Sequence, residues 1–332
     1  MKILFGIQAT GNGHITRSIE LYNLLKEHPN LEQMDVLISG DNSSLEVPFP
    51  ICYQFKGLTF SYGKKGRISI INSFRKTSWW SFWKAIFTIP FKQYDLIISD
   101  FEPITLWGAR LFGVKSVGLG NAYSMQSKNF PKMGLNAKLT KYGSKLMCPA
   151  KEKVAMHFKK FDEYIFNPII RKEILEAKPV DENFFLVYLI SFTDEELMNV
   201  FQEIRFSKYR FVLYSKVATQ QYQFENITVK PINKETFTKD IIRCSGVITA
   251  GGFQTAAESL HLGKKLFVVP IKSQIEQLAN AKVLAEMGVT TSKELNPFLI
   301  KYWIENAHPT QCLFENELQQ MMDYILLQVK AA

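Results

Sequence analysis

Residues 250–281 hold the side chains in this chain best placed for chemistry. Gly251-Gly252 stand between a short β-branched run, Val247-Ile248-Thr249-Ala250, and a helical run from Phe253 to Leu262 that Gly263 stops. A strand–Gly-Gly–helix junction turns backbone N–H groups and the positive end of a helix dipole towards one point, which suits a diphosphate. Glycine there lets the phosphate reach the backbone. Gln254 and Thr255 add donors in the first turn. Glu258 follows them by four and three residues, so all three share a face, and its carboxylate can accept from both hydroxyls of a ribose. Lys265–Pro270 reads as the next strand. A polar loop then leads to a helix over Glu276–Met287, with Gly288 beyond it. Glu276 and Gln277 open that helix and Asn280 comes one turn later, an acid–amide set that suits the ring hydroxyls of a sugar. A glycine pair alone would be an ordinary turn; the ordered set favours a ligand site.

A second constellation lies near the start. Gly11-Asn12-Gly13-His14 follows the first strand and opens the first helix. Imidazole is the side chain best matched to take a proton near neutral pH, so His14 is the candidate base or orienting group for a hydroxyl. Asp100, at the end of the strand Leu96–Ser99, is the candidate partner that fixes its tautomer, with Glu102 as the fallback. Acids at strand ends also commonly cap the next helix, which gives Asp100 a second reading. Gly11-x-Gly13 is half of a dinucleotide fingerprint. The third glycine position is Thr16, and Asp41 lies beyond Gly40 rather than ending the second strand, so a nicotinamide site is disfavoured.

The stretch 250–281 resembles the nucleotide-sugar signature of two-domain glycosyltransferases of the GT-B type. It is similar to the branch holding the UDP-glycosyltransferases and the enzyme that adds N-acetylglucosamine to lipid I. The resemblance implies that Gly251 and Gly252 approach the diphosphate, Glu258 binds ribose, and Glu276 and Gln277 contact the donor sugar. It also implies a histidine base, here His14, in a cleft between the domains, and an acceptor site at Gly11, Asn12 and Gly13. Many UDP-glycosyltransferases carry a phosphate-contacting histidine before the glycine pair. Ala250 stands there in this chain, which shifts that work to the backbone, Gln254 and Thr255. The expected reaction is transfer of a sugar from a nucleotide-diphosphate donor to an acceptor hydroxyl, with uridine as the leading carrier and inversion at the anomeric carbon. No Asp-x-Asp motif or metal-ligand cluster is present in the sequence, so no metal and no cofactor beyond the donor substrate is expected. A UDP-sugar 2-epimerase of the same fold and a non-catalytic sugar-nucleotide-binding subunit are the rival readings.

These sites need scaffolds, and strand–helix alternation runs through both halves. Lys2–Ile7, Asp35–Ile38, Leu96–Ser99, Lys115–Leu119, Phe184–Ile190 and Arg210–Tyr214 read as strands. Ile15–Lys26, Pro103–Phe112 and Asp194–Ile204 read as helices. The pattern predicts an α/β fold of parallel sheets covered by helices, and the resemblance implies that these are two Rossmann-like parallel-sheet domains facing a cleft. The expected division is an acceptor domain over 1–165, a linker over 166–182, and a donor domain over 183–310. A C-terminal helix is expected in 311–332, with Glu315–Val329 as its periodic core, and the resemblance implies that it crosses back to the first domain.

The chain has 332 residues, 46% hydrophobic, enough for two cores. Cys52, Cys148, Cys244 and Cys312 lie far apart and read as reduced thiols. No apolar run reaches membrane-spanning length, and the opening residues lack the plan of a secretory leader. The expected location is therefore cytoplasmic, peripheral on the inner face of the membrane. The net charge of +9 is uneven: residues 1–165 hold 22 Lys/Arg against 12 Asp/Glu, and the remainder is close to neutral. Residues 56–92 and 128–160 are the basic stretches. Trp79, Phe82, Trp83, Ile86 and Phe87 fall on one helical face, with Trp80 off it. Such a face is commonly core, and interleaved with bases it also suits an anionic membrane surface and a lipid-linked acceptor. No nucleic-acid module is recognisable.

Overall fold

The computed structural model describes residues 1–9, 12–40, 47–56, 79–133, 142–204 and 208–331. Contacts divide the chain into two units. The first comprises Met1–Tyr62, Ile68–Ile169 and Glu315–Ala332; the second comprises Gly63–Arg67 and Ile170–Phe314.

The first unit is built on strands β1 (Lys2–Gln8), β2 (Gln33–Ser39), β3 (Tyr53–Phe55), β4 (Leu96–Asp100), β5 (Ser116–Leu119), β6 (Glu152–Met156) and β7 (Ile165–Phe166). They form a parallel sheet in the order β3-β2-β1-β4-β5-β6-β7. β1 and β4 are almost wholly buried, as strands in the middle of a parallel sheet covered by helices are. These helices include α1 (Asn12–Lys26), α2 (Trp79–Thr88) and α3 (Pro103–Phe112). The bounds of α3 are set by its ends: Pro103 at the first position, Glu102 accepting from the Ile104 and Thr105 amides, and Gly113 at φ 69°. Glu102 is thus a buried cap, not a partner for His14.

α2 corrects the expected stripe. Phe82, Ala85 and Ile86 are buried, while Trp79, Trp83 and Phe87 face outward with Trp80. The buried arc packs on α3. Small Ala85 beside Phe82 and Ile86 suits a close helix–helix approach in a way that a second indole would not.

The second unit uses β8 (Phe184–Tyr188), β9 (Arg210–Ser215), β10 (Tyr222–Phe224), β11 (Ile227–Pro231), β12 (Gly246–Thr249), β13 (Lys265–Val268) and β14 (Thr290–Thr291), in the order β10-β11-β9-β8-β12-β13-β14. All pairs are parallel except β10 with β11. Its helices are α4 (Asp194–Gln202), α5 (Lys234–Arg243), α6 (Phe253–His261), α7 (Ile275–Glu286) and α8 (Pro297–Asn306). Trp303, Phe185, Phe211 and Phe267 anchor one core cluster in this unit. The last helix, α9 (Leu318–Ala331), belongs to the first unit, where it packs on α1 and β6. Glu317, just before it, accepts from the Asn167 amide at 2.8 Å and from Lys160 Nζ at 2.5 Å. The expected pair of Rossmann-like sheets and the C-terminal helix are therefore present.

Candidate active site

In the second unit, connections leaving β8 run one way to β9 and later the other way to β12. The strand order therefore reverses between β8 and β12, where Tyr188 is level with Thr249. Parallel sheets leave a crevice at such a switch point, beyond the carboxyl ends of the strands. Gly251 and Gly252 lie there. Gly251 has φ 78°, and a Cβ on it would come within 3.2 Å of Val268 Cγ1 and 3.3 Å of the Gln277 carbonyl oxygen. Gly252 is the N-cap of α6, gives it no side-chain cap, and has nothing within 4 Å of where its Cβ would stand. The helix tip thus combines dipole, backbone donors and space.

The neighbouring residues shape this tip. Asn280 is buried and donates from Nδ2 to the Gly251 carbonyl at 3.1 Å, so α7 braces the glycine pair. Gln277 accepts the Ile271 amide at 3.0 Å and pins the loop after β13. Glu276 is exposed and Thr255 half-buried. Ser191, three residues past β8, and Ser273, in the loop before α7, each have a buried hydroxyl with no hydrogen-bond partner among the described residues. Sequence reading missed both, since a single serine in a loop carries no spacing signal.

Glu258 is 1% exposed. Its two oxygens accept from Arg171 Nε at 2.7 Å and Nη2 at 2.6 Å, and Oε1 also accepts from Gln254 Nε2 at 2.9 Å. Arg171, which precedes a single helical turn over Lys172–Leu175, also donates to Thr238 at 2.7 Å. A carboxylate has about four acceptor positions. Three are filled among the described residues. Arg171 carries no motif in sequence; only the need of a buried acid for a partner points to it.

In the first unit the order reverses between β1 and β4, where Ile7 is level with Asp100. The loop after β1 leads to His14 on α1, and Asp100 ends β4, so one switch point brings together residues 86 apart. Phe101, at φ 51°, and its amide bond to Ser99 turn the chain sharply after Asp100. His14 Nδ1 lies 3.1 Å from Asp100 Oδ1. Arg17 grips the same carboxylate, with Nε donating to Oδ2 at 2.8 Å and Nη2 to Oδ1, and Ser18 Oγ donates at 3.1 Å. Burial would raise the Asp100 carboxyl, but the charge of Arg17, then that of His14, and their hydrogen bonds bring it down to about 2. Arg17 Nη2 also lies 2.7 Å from His14 Nδ1. A guanidinium only donates, so that contact requires the ring proton on Nε2, whereas the contact to Asp100 requires it on Nδ1. Arg17 was missed in sequence, although it stands three residues from His14 on the same helix face. Gly13 is the second residue of α1; Gly11 and the Asn12 side chain lie outside the described residues.

Among the described residues there is no group of three metal-binding side chains, the four cysteines are free, and no helix is long and apolar enough to cross a membrane. Residues 1–307 match the family model described as glycosyl transferase family 1. No curated protein matches the chain. Solved structures with the same fold include a UDP-glucosyltransferase from Polygonum tinctorium, with TM-score 0.62 and 14% identity over 100% of this chain and 93% of that one. A glycosyltransferase from a Streptomyces species, complexed with thymidine diphosphate, gives 0.58 and 13% over 100% and 96%. The glycosyltransferase SnogD from Streptomyces nogalater gives 0.54 and 15% over 99% and 95%. The match supports the GT-B fold and the UDP-glycosyltransferase side of the resemblance, and gives no specific tie to the lipid I enzyme. The chain belongs to glycosyl transferase family 1, and it is a glycosyltransferase that moves a sugar from a nucleotide-diphosphate donor to an acceptor.

Proposed function

We propose that the second unit binds a UDP-sugar and the first unit activates an acceptor hydroxyl borne on a lipid or a cell-envelope glycan at an anionic membrane surface. The observation that carries the donor half is the α6 tip. Gly252 has open space above it, no side chain caps the helix, and the loops after β8 and β13, the strands either side of β12, carry two buried hydroxyls, Ser191 and Ser273, without partners among the described residues. The backbone at Gly251 and Gly252, with Gln254 and Thr255, holds the diphosphate. Glu258 accepts one ribose hydroxyl at its remaining position. Glu276 and Gln277 face the sugar, and Asn280 holds the glycine pair in place.

Transfer proceeds with inversion and without a metal. The acceptor oxygen attacks the anomeric carbon on the face opposite the diphosphate. The bond from that carbon to the diphosphate oxygen breaks, and the electron pair leaves with UDP, stabilised by the helix tip. The hydroxyl proton passes to His14 Nε2, which requires the tautomer with Nδ1–H donating to Asp100. Gly13, with Gly11 and Asn12, frames the acceptor.

Calorimetry with uridine, thymidine and guanosine diphosphates tests the donor site; binding of uridine diphosphate is expected, and no heat with any of them overturns the reading. Proton NMR of the product then gives the anomeric configuration. Retention overturns the inverting step, and conversion of the donor with no acceptor present assigns an epimerase instead.

A further inference from the structure

The first unit has a second concave feature, at the sheet edge opposite Asp100. It is a cavity of about 690 Å³ between the C-terminal end of α3 and the first residues of β5 and β6. Arg110, Lys115, Lys145, Lys151 and Lys153 line it, with Glu152 as the one acid among the described residues of its wall. Bases gathered around one cavity give it a positive potential that favours an anion.

The cavity adjoins the outward face of α2. Trp80 is 81% exposed and Phe87 66%, with Trp79 and Trp83 also exposed. The two features are joined by direct contacts. Trp83 packs edge-on against Trp107 of α3 at 6.2 Å, and Trp107 Nε1 donates at 3.2 Å to the carbonyl of Leu146, the exposed neighbour of Lys145. Phe87 packs on Phe112 at 6.1 Å, next to Gly113 of the cavity wall. α2 ends shortly before β4 begins, and its length of ~15 Å runs Trp79 and Trp80 back towards the edge that carries Asp100. One face therefore presents indoles and a phenyl ring beside a cluster of bases, the composition of an interfacial membrane contact.

We infer that this face docks on an anionic bilayer, with the rings of α2 entering the interface and a phospholipid headgroup phosphate seated in the basic cavity. Charge complementarity selects the occupant: the rings satisfy an apolar boundary, and the cations satisfy the phosphates beneath which that boundary lies. The inference rests on the lipid-borne acceptor of the proposed function and names the surface that would bring the enzyme to it.

The test is co-sedimentation of the full chain with vesicles of phosphatidylcholine alone and of phosphatidylcholine mixed with phosphatidylglycerol. Binding is expected only to the second, weakening with salt. Trp80→Ser should lower it by about tenfold or more. Lys145→Gln with Lys151→Gln should lower it by roughly 25-fold, at about fivefold per cation. Each variant changes exposed side chains only, and an unchanged urea unfolding curve verifies its fold. Equal binding to both vesicles, or binding that neither variant alters, overturns the surface. So does glycerol phosphate binding in the cavity without preference for vesicles, which would assign a soluble anion. Vesicle binding by a protein that takes up no nucleotide would keep the surface and remove the transferase reading; nucleotide uptake without vesicle binding would do the reverse.

Discussion

Replacing Arg17 by methionine tests the arrangement around His14 most directly. Asp100 is fully buried and accepts two hydrogen bonds from Arg17, one from Ser18 and a contact from His14. Its carboxyl is held at about 2, against 3.8 for a free side chain. That difference is worth about 2 kcal/mol. Breaking a buried pair costs more, about 3–5 kcal/mol, because the remaining charge is left desolvated. Arg17→Met should therefore lower stability by that larger amount near neutral pH. The pH dependence has a definite sign. In the native protein the folded pKa is depressed, so the contribution is present above 3.8 and lost as pH falls through about 2. In the variant, burial is opposed only by the contacts of His14 and Ser18, so the carboxyl rises, acidification neutralises it more readily and the deficit narrows as the pH falls. Urea unfolding followed by tryptophan emission measures this, since Trp79, Trp80, Trp83 and Trp107 all lie in the first unit. The double variant Arg17→Met/Asp100→Asn should cost less than the sum of its parts by at least ~1 kcal/mol. Additive costs, or a deficit that does not change with pH, would refute the account of Arg17 as the group that keeps Asp100 charged.

Three further outcomes follow from the geometry. His14→Ala should reduce turnover by roughly 10²–10⁴-fold while calorimetry with uridine diphosphate is unchanged; full activity would remove it from the mechanism. Gly252→Ala should unfold like the native protein yet bind nucleotide roughly tenfold more weakly or worse, because its methyl enters only the space above the helix tip. Gly251→Ala should instead lose about 1–2 kcal/mol of stability from its φ of 78°; the opposite pattern would contradict the placement of the two glycines. Glu258→Gln leaves Arg171 buried without its carboxylate and should cost about 3–5 kcal/mol in urea unfolding, with a raised donor KM; an unchanged unfolding curve would mean the pair is not formed.

The elements around the candidate sites were largely legible because their signals are local. Pro103 and Gly113 bracket α3 at its observed bounds, and the glycine pair marks the β12–α6 junction within a residue. β6 was missed because Glu152 and Lys153 open it, and β7 because it has two residues. The β10–β11 hairpin was missed as well; its antiparallel pairing sits at a sheet edge, where polar residues are tolerated. The aromatic stretch showed the limit of periodicity: a period of 3.6 gives an arc its width, and only packing against α3 decided which arc was buried. No local pattern reveals the arginines, since Arg17 and Asp100 are 83 residues apart and Arg171 and Glu258 are 87 apart. Their pairing is imposed by topology.

The Arg17 fork also bears on which group could take the proton in the proposed transfer. A carboxylate held at about 2 by a guanidinium stays ionised through any pH at which the protein works, so Asp100 can orient and stabilise an imidazolium but cannot receive the hydroxyl proton itself. Glu102 is close in sequence but buried behind its cap bonds to Ile104 and Thr105. In the proposed mechanism that leaves the imidazole of His14, half-buried at the start of α1, to accept the proton. The same Arg17 that keeps Asp100 charged also competes for Nδ1, where its donation at 2.7 Å favours the tautomer that cannot act as a base. The proposed activation of the acceptor thus requires the ring proton to sit on Nδ1, facing Asp100, as Arg17 gives up that contact. A pH–rate profile that keeps its acidic limb in Asp100→Asn but loses it in His14→Ala assigns that limb to the imidazole; an acidic limb that survives in both variants would place the base elsewhere.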